Sequence, residues 1–151
     1  MIIKVFSPLL NSSVKKFVVS VLASEGFAYD MEKDLDLDDI SANYLEDGGI
    51  FYVAFTEGRI IGTCAVKKRS EEKCEVKRLY VHKDLRRLGI GSELLGKALE
   101  FAREHYNTAI LKTSTSQKQA IALYLKTGFF VQKEEKGVIY FTMDLAEQFT
   151  L

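Results

Sequence analysis

The chain predicts a mixed α/β fold of seven strands and four helices, and three observations lead there. β-prone runs alternate with runs whose apolar residues recur at helical spacing, in the order β-α-α-β-β-β-α-β-α-β-β. Short turn signals separate several of the strand runs, as hairpins require. Finally, the basic, glycine-bearing segment Arg86-Arg87-Leu88-Gly89-Ile90-Gly91-Ser92 lies between a strand-like run ending at Val81 and a helix-like run beginning at Ile90.

Residues 2–6 read as the first strand. Ser12 or Ser13 is placed to cap a helix in which Val14, Phe17, Val18, Val21 and Leu22 share a face, and Gly26-Phe27 ends it. A polar stretch follows, with a short helix over residues 38–45. Gly48-Gly49 precedes a strand over 50–56, and Glu57-Gly58-Arg59 turns the chain into its hairpin partner over 60–67. Residues 70–72 turn again into the strand that ends at Val81. The helix over 90–104 buries Leu94, Leu95, Ala98, Leu99 and Ala102 on one face. A strand over 108–113, a helix over 116–127 closed by Gly128, and a hairpin of 129–133 with 138–145 complete the chain. No repeat, low-complexity tract or linker interrupts it, so residues 1–151 are expected to form one domain.

Hydrophobic residues make up 47% and charged residues 28%, ordinary values for a globular protein with a sizeable core. A formal net charge of zero argues against nucleic acid as a partner, because non-specific binders carry excess cation. No apolar run is long enough to span a bilayer, and no signal peptide precedes the first strand, so a cytoplasmic location is expected. Cys64 and Cys74 lack the spacing and the His partners of a zinc site, and no metal is expected. Both fall in strands, where a reduced Cys packs as a small apolar residue.

The glycine loop offers anion chemistry. Glycines at a helix start let backbone N–H groups approach a ligand, and the helix dipole adds to the attraction. A P-loop needs Lys followed by Ser or Thr after its last glycine, which is absent here. A dinucleotide fingerprint needs a third glycine where Leu94 stands, and a polar loop over 82–88 intervenes after the strand. Arg86, Gly89 and Gly91 do fill an Arg/Gln-x-x-Gly-x-Gly/Ala pattern.

With Glu75-Val76-Lys77-Arg78-Leu79-Tyr80-Val81 before that pattern and Gln117-Lys118-Gln119-Ala120-Ile121-Ala122-Leu123-Tyr124-Leu125-Lys126-Thr127-Gly128-Phe129 after it, the chain resembles the GNAT superfamily of N-acetyltransferases. The later run follows the family's Asn-x-x-Ala-x-x-Leu-Tyr-x-Lys-x-Gly-Phe, with Gln117 where Asn is usual. The resemblance implies a central mixed, mostly antiparallel sheet flanked by helices. It implies acetyl-CoA as co-substrate and a small-molecule primary amine as acceptor, attacked directly in a ternary complex. A protein N-terminus or lysine, or a non-catalytic role in sensing acyl-CoA, are the alternatives. A homodimer follows the family habit.

The same resemblance places the pyrophosphate on backbone N–H groups of Arg87, Leu88, Gly89, Ile90, Gly91 and Ser92, with Arg86 nearby. The pantetheine arm would lie along Leu79, Tyr80 and Val81, and Gln117, Ala120 and Tyr124 would flank it. Tyr124 would protonate the departing thiolate, since a phenol of pKa about 10 keeps its proton at neutral pH. The Val81 N–H would hold the oxyanion. Glu75 is the candidate base, although strand alternation groups it with Lys77, Leu79 and Val81, and a surface ion pair is the competing role. A bulge, common in this strand of the family, would break that alternation, and the sequence alone does not place one.

Nine carboxylates lie between Glu25 and Asp47 against one cation, Lys33. Attraction of a cationic acceptor is one reading, and a solvated loop with carboxylates at a helix N-terminus is the other.

Overall fold

In a computed structural model, residues 1–146 form the elements described below. They are β1 (Ile2–Val5), α1 (Asn11–Ser24), α2 (Ile40–Asn43), β2 (Ile50–Thr56), β3 (Arg59–Lys68), β4 (Lys73–Val81), α3 (Ile90–His105), β5 (Thr108–Ser114), α4 (Lys118–Thr127), β6 (Phe130–Glu135) and β7 (Val138–Asp144). One seven-stranded sheet runs β1-β2-β3-β4-β5-β7-β6. Every neighbouring pair is antiparallel except β4 and β5, which α3 connects as a parallel crossover.

The expected order and element types hold, with two local differences. A 3-10 turn over Pro8–Leu10 starts α1 early, so Ser12 and Ser13 sit inside its first turn and neither caps it. Asn11 instead ties α1 to the loop before α2: its amide donates to the Leu37 carbonyl at 2.9 Å and its oxygen accepts from Ile40 N–H at 3.0 Å. The helix expected over 38–45 shrinks to one turn between two 3-10 turns, Leu35–Asp38 and Leu45–Asp47. Asp side chains that bond nearby backbone compete with helix there, as Asp39 does by capping Ala42 N–H at 3.1 Å.

The sheet carries a core on each face. On one side α3 and α4 bury Leu94, Leu95, Ala98, Leu99, Ala102 and Tyr124 against Cys64, Val66, Cys74, Val76, Leu111 and Phe141. On the other, α1 packs Val14, Phe17, Val18 and Val21 onto Phe51, Val53 and Ala65. No helix of the described residues is long and apolar enough to cross a membrane.

β4 and β5 pair only through Lys73–Thr108, Cys74–Ala109 and Glu75–Ile110. Beyond that point they part, and β4 carries the cause. Between the pairs Ala65–Lys77 and Thr63–Tyr80, two steps of β3 face three of β4, so β4 holds one extra residue. Arg78 takes up the excess in a left-handed conformation, φ 56°. Its carbonyl accepts from the Thr63 hydroxyl at 2.8 Å, and its guanidinium is buried among carboxylates. It donates to both oxygens of Asp36 at 3.0 and 2.6 Å and to Asp34 at 3.0 Å, while the Tyr44 hydroxyl donates to Asp36 at 2.5 Å.

Removing one partner from a buried ionic cluster leaves uncompensated charge, which costs about 3–5 kcal/mol. Arg78→Ala is therefore expected to lower the free energy of unfolding in urea by about that amount. The loss also has a pH signature. Burial alone would raise the pKa of Asp36, but hydrogen bonds from Arg78 and Tyr44 outweigh it and hold the carboxyl below its ordinary value. A depressed carboxyl stabilises the fold fully above its unfolded pKa, about 4, and that stability drains away as pH falls through the lower folded value. Urea midpoints compared at neutral and acid pH should fall less steeply in Arg78→Ala than in the unaltered chain.

Cys64 and Cys74 are free thiols in the core beneath α3, and burial pushes each to about 12. A thiol-disulfide reagent at mildly alkaline pH should leave both untouched in the folded protein and titrate both in guanidinium.

Candidate active site

The parting of β4 from β5 opens a cleft of about 680 Å³ that passes between the two faces of the sheet. Its walls are β4 from Val76 to Val81, the loop and first turn of α3, the end of β5 from Lys112 to Ser114, and the face of α4 bearing Ala120, Leu123 and Tyr124. On the α1 face, Leu22, Glu25 and Phe27 complete the rim. Of the residues that the sequence singled out, Leu79, Tyr80, Val81, Arg86, Arg87, Gly89, Ile90, Gly91, Ser92, Gln117, Ala120 and Tyr124 come together there. The Leu88 side chain is exposed, and Glu75 is not part of the wall.

The anion end is built from backbone. Arg87 and Gly89 both take left-handed conformations, φ 68° and 83°, and swing the chain into α3. Glu93 N–H is the first to find an acceptor within the helix, Gly89 O at 3.0 Å, so the N–H groups of the preceding turn face the cleft mouth. The two glycines have different reasons. Gly89 is required by its φ, whereas Gly91 is helical, and a Cβ on it would meet Val81 and Leu123 at 3.6 and 3.7 Å, ordinary contacts. What Gly91 leaves open is room for a ligand.

The two arginines also differ. Arg86 donates to Glu25 Oε1 at 2.7 Å and to the Val81 carbonyl at 3.3 Å, tying the loop to the end of α1. Among the described residues Arg87 meets only the Gln119 side-chain oxygen, at 2.9 Å in the amide orientation that satisfies both groups. Of the two arginines, Arg87 is therefore the one whose charge is free among the described residues.

Hydrogen bonding along β4 selects which backbone groups face the cleft. His82 N–H donates to Ile61 O at 2.8 Å, so alternation turns the Tyr80 backbone toward β3 and the Val81 N–H toward the split. Tyr124 stands across from it, packed edge-on against Phe129 and Phe141 with centroids 6.2 and 5.6 Å apart. Burial raises the phenol above its ordinary pKa, so it holds its proton throughout the neutral range.

The extra residue at Arg78 overturns the expected grouping of Glu75, Lys77, Leu79 and Val81 on one face. Lys77 stands opposite Ala65 on the α1 face, while Leu79 and Val81 turn to the α3 core. Glu75 is buried at the last pair before the split, and its carboxylate accepts from Arg69 Nε at 2.7 Å and Nη2 at 2.5 Å. Much of the acidic segment is likewise engaged by neighbouring groups rather than turned to the cleft. Asp34 and Asp36 hold Arg78, Asp38 pairs with Lys15, Asp47 lies 3.6 Å from Lys67, and Asp39 caps α2. Glu25 alone of its nine carboxylates reaches the cleft wall. The Arg78 cluster and the Arg86–Glu25 pair carry no sequence signal, because each joins residues far apart in the chain.

The arrangement joins an anion cradle, an inward backbone donor and a buried phenol along one strand edge. The family model for the Acetyltransferase (GNAT) family matches residues 17–129. N-acetyltransferase 8 of Homo sapiens is 36% identical over 107 residues, which make up 66% of this chain and 47% of that one. The chain thus spans about half the length of that relative. Among solved structures, an acetyltransferase of the GNAT family from Staphylococcus aureus superposes with a TM-score of 0.85 at 23% identity, covering 95% of this chain and 98% of that one. A GNAT family acetyltransferase from Elizabethkingia anophelis with acetyl-CoA bound superposes with a TM-score of 0.59 at 25% identity, over 70% of this chain and 82% of the other. By the match of its sequence to the family model, this chain belongs to the GNAT acetyltransferase family.

Proposed function

We propose that this protein transfers an acetyl group from acetyl-CoA to a primary amine of a small molecule. The observation that carries the proposal is the split itself: a strand edge with an inward N–H at Val81, an anion cradle at one end and the buried phenol of Tyr124 across the gap. The pyrophosphate fits the N–H groups at the start of α3, with Arg87 as counter-charge. The pantetheine arm fits the edge that β5 leaves vacant, bonded to backbone much as an added strand would be.

The acceptor enters from the α1 face, past Leu22 and Phe27. Its nitrogen attacks the acetyl carbonyl carbon, forming C–N as C–S breaks. Val81 N–H stabilises the charge that gathers on oxygen, and Tyr124 hands its proton to the leaving thiolate. The ammonium proton of the acceptor goes to water, because the one carboxylate placed by sequence as a base, Glu75, is held by Arg69 away from the cleft. No covalent enzyme intermediate is needed.

Two measurements test this reading. Calorimetric titration with acetyl-CoA should show binding that an Arg87→Ala, Gly89→Ala double variant loses; no binding to the folded wild type would sink the proposal. In an amine acetylation assay, Tyr124→Phe should lower kcat about 100-fold with acetyl-CoA affinity little changed. Glu75→Gln should lower it by less than about tenfold, since a group outside the cleft has no proton to take.

A further inference from the structure

We infer that the acceptor carries a carboxylate beside its reacting amine, held by Lys77 and Lys112 on the α1 face of the split. The inference rests on the acetyltransferase reading above and names the substrate class of that site.

The register places the two lysines. Glu75 and Ile110 form the last pair of β4 with β5, and Lys77 and Lys112 are the next residues on the same face of each strand. Lys77 stands opposite Ala65 of the α1-side core. Lys112 stands opposite Tyr140, while its neighbour Leu111 and that residue's neighbour Phe141 point into the other core. Both lysines line the cleft, one on each side of the gap.

Three charged neighbours on that side of the sheet are matched. Arg78 is held by Asp34 and Asp36, Arg86 by Glu25, and Glu75 by Arg69. Lys77 and Lys112 make no ion pair among the described residues. Lys77 has in addition lost part of its hydration: burial lowers its pKa, and the pull of Glu75 and Asp36 is opposed by Arg69 and Arg78. A half-buried ammonium without a partner is costly, and an incoming carboxylate would supply the missing hydrogen bonds. Two cations flanking the acceptor mouth disfavour the polyamine-like acceptor that the acidic segment first suggested, since those carboxylates face elsewhere. An amino acid, with its amine a bond or two from a carboxylate, meets both requirements.

The test pairs each acid with its carboxamide. Phenylalanine and aspartate, each beside the corresponding α-carboxamide, would be assayed as acceptors with the wild type and with a Lys77→Met, Lys112→Met double variant. The wild type should favour an acid over its amide by about tenfold or more in kcat/KM, the usual scale for a charge-assisted hydrogen bond. The double variant should bring the ratio near unity with KM for acetyl-CoA unchanged. Preference for the amide, or a ratio that the double variant does not move, would overturn the inference. So would a raised KM for acetyl-CoA at an unchanged ratio, which would give the lysines to the cofactor.

A second readout does not depend on turnover. Calorimetry on the CoA-loaded protein would compare N-acetylphenylalanine and N-acetylaspartate with their carboxamides. Selective binding of an acid, lost in the double variant, would uphold the carboxylate site even if no acceptor were turned over. Equal binding of acids and amides, or binding of neither, would overturn it, while acetylation of the amides in the same hands would leave the acetyltransferase reading standing.

Discussion

A single extra residue at Arg78 bends β4 away from β5, and the rest of the site depends on that bend. An antiparallel ladder with β3 continues past the bulge, so β4 remains held on one side while its other edge goes free. A free edge in the middle of a sheet exposes N–H and C=O groups that must find partners. Here those groups line a cleft instead of solvent at the sheet's rim. The bulge thus turns a liability of sheet architecture into a row of donors and acceptors of fixed spacing, open to a ligand that can mimic a strand.

Holding a charged residue in a left-handed conformation needs an external constraint, because an L side chain is strained there. Arg78 is constrained from three directions: Asp34 and Asp36 from the segment before α2, Thr63 from β3, and the Tyr80 hydroxyl, which accepts from Nη1 at 3.2 Å. The segment supplying those carboxylates is itself anchored by Asn11 and, further on, by the Tyr106 hydroxyl, which donates to Gly48 O at 2.5 Å. Replacing a buried ionic cluster with apolar groups would often be neutral or favourable for stability alone. Its value here is directional, since bidentate bonds from a planar guanidinium fix the position of the backbone that carries them. Asp34 and Asp36 therefore act as a brace for the kinked strand.

Period and punctuation made most of the fold legible. The stripe from Leu94 to Ala102, the β-prone run before the Glu57-Gly58-Arg59 turn, and Gly128 after its helix each follow from local chemistry, and each is where the sequence puts it. The cleft wall was legible for the same reason, because loop glycines and a following helix are neighbours in the chain. What escaped is non-local. Nothing near Arg78 in sequence announces Asp36, 42 residues away, and without that pair the bulge cannot be placed. Alternation counted through an unseen extra residue necessarily sends Leu79 and Val81 to the wrong face. Glu75 illustrates the same limit: the sequence leaves base and ion pair as competing roles, and only Arg69, across the β3–β4 turn, identifies the partner. The serines at 12 and 13 failed as caps because Pro8 had already started the turn.

One topological choice links the cradle to the cleft. A parallel pair inside an antiparallel sheet cannot be joined by a tight turn, so β4 and β5 require a crossover, and α3 provides it. A crossover helix must begin near the end of the strand it leaves. Its N-terminus, with unpaired N–H groups and the positive end of its dipole, therefore lies beside the point where β4 has parted from β5. Ligand sites in open sheets gather at such points for this reason, where adjacent strands no longer share hydrogen bonds and helix ends converge. In this chain the convergence has two sides. The backbone donors and Arg87 lie at the start of α3, while Lys77 and Lys112 stand on the α1 face of the same cleft. In the proposed reaction, donor and acceptor approach the gap from opposite faces without competing for the same charges, and meet at the opening between the two strands.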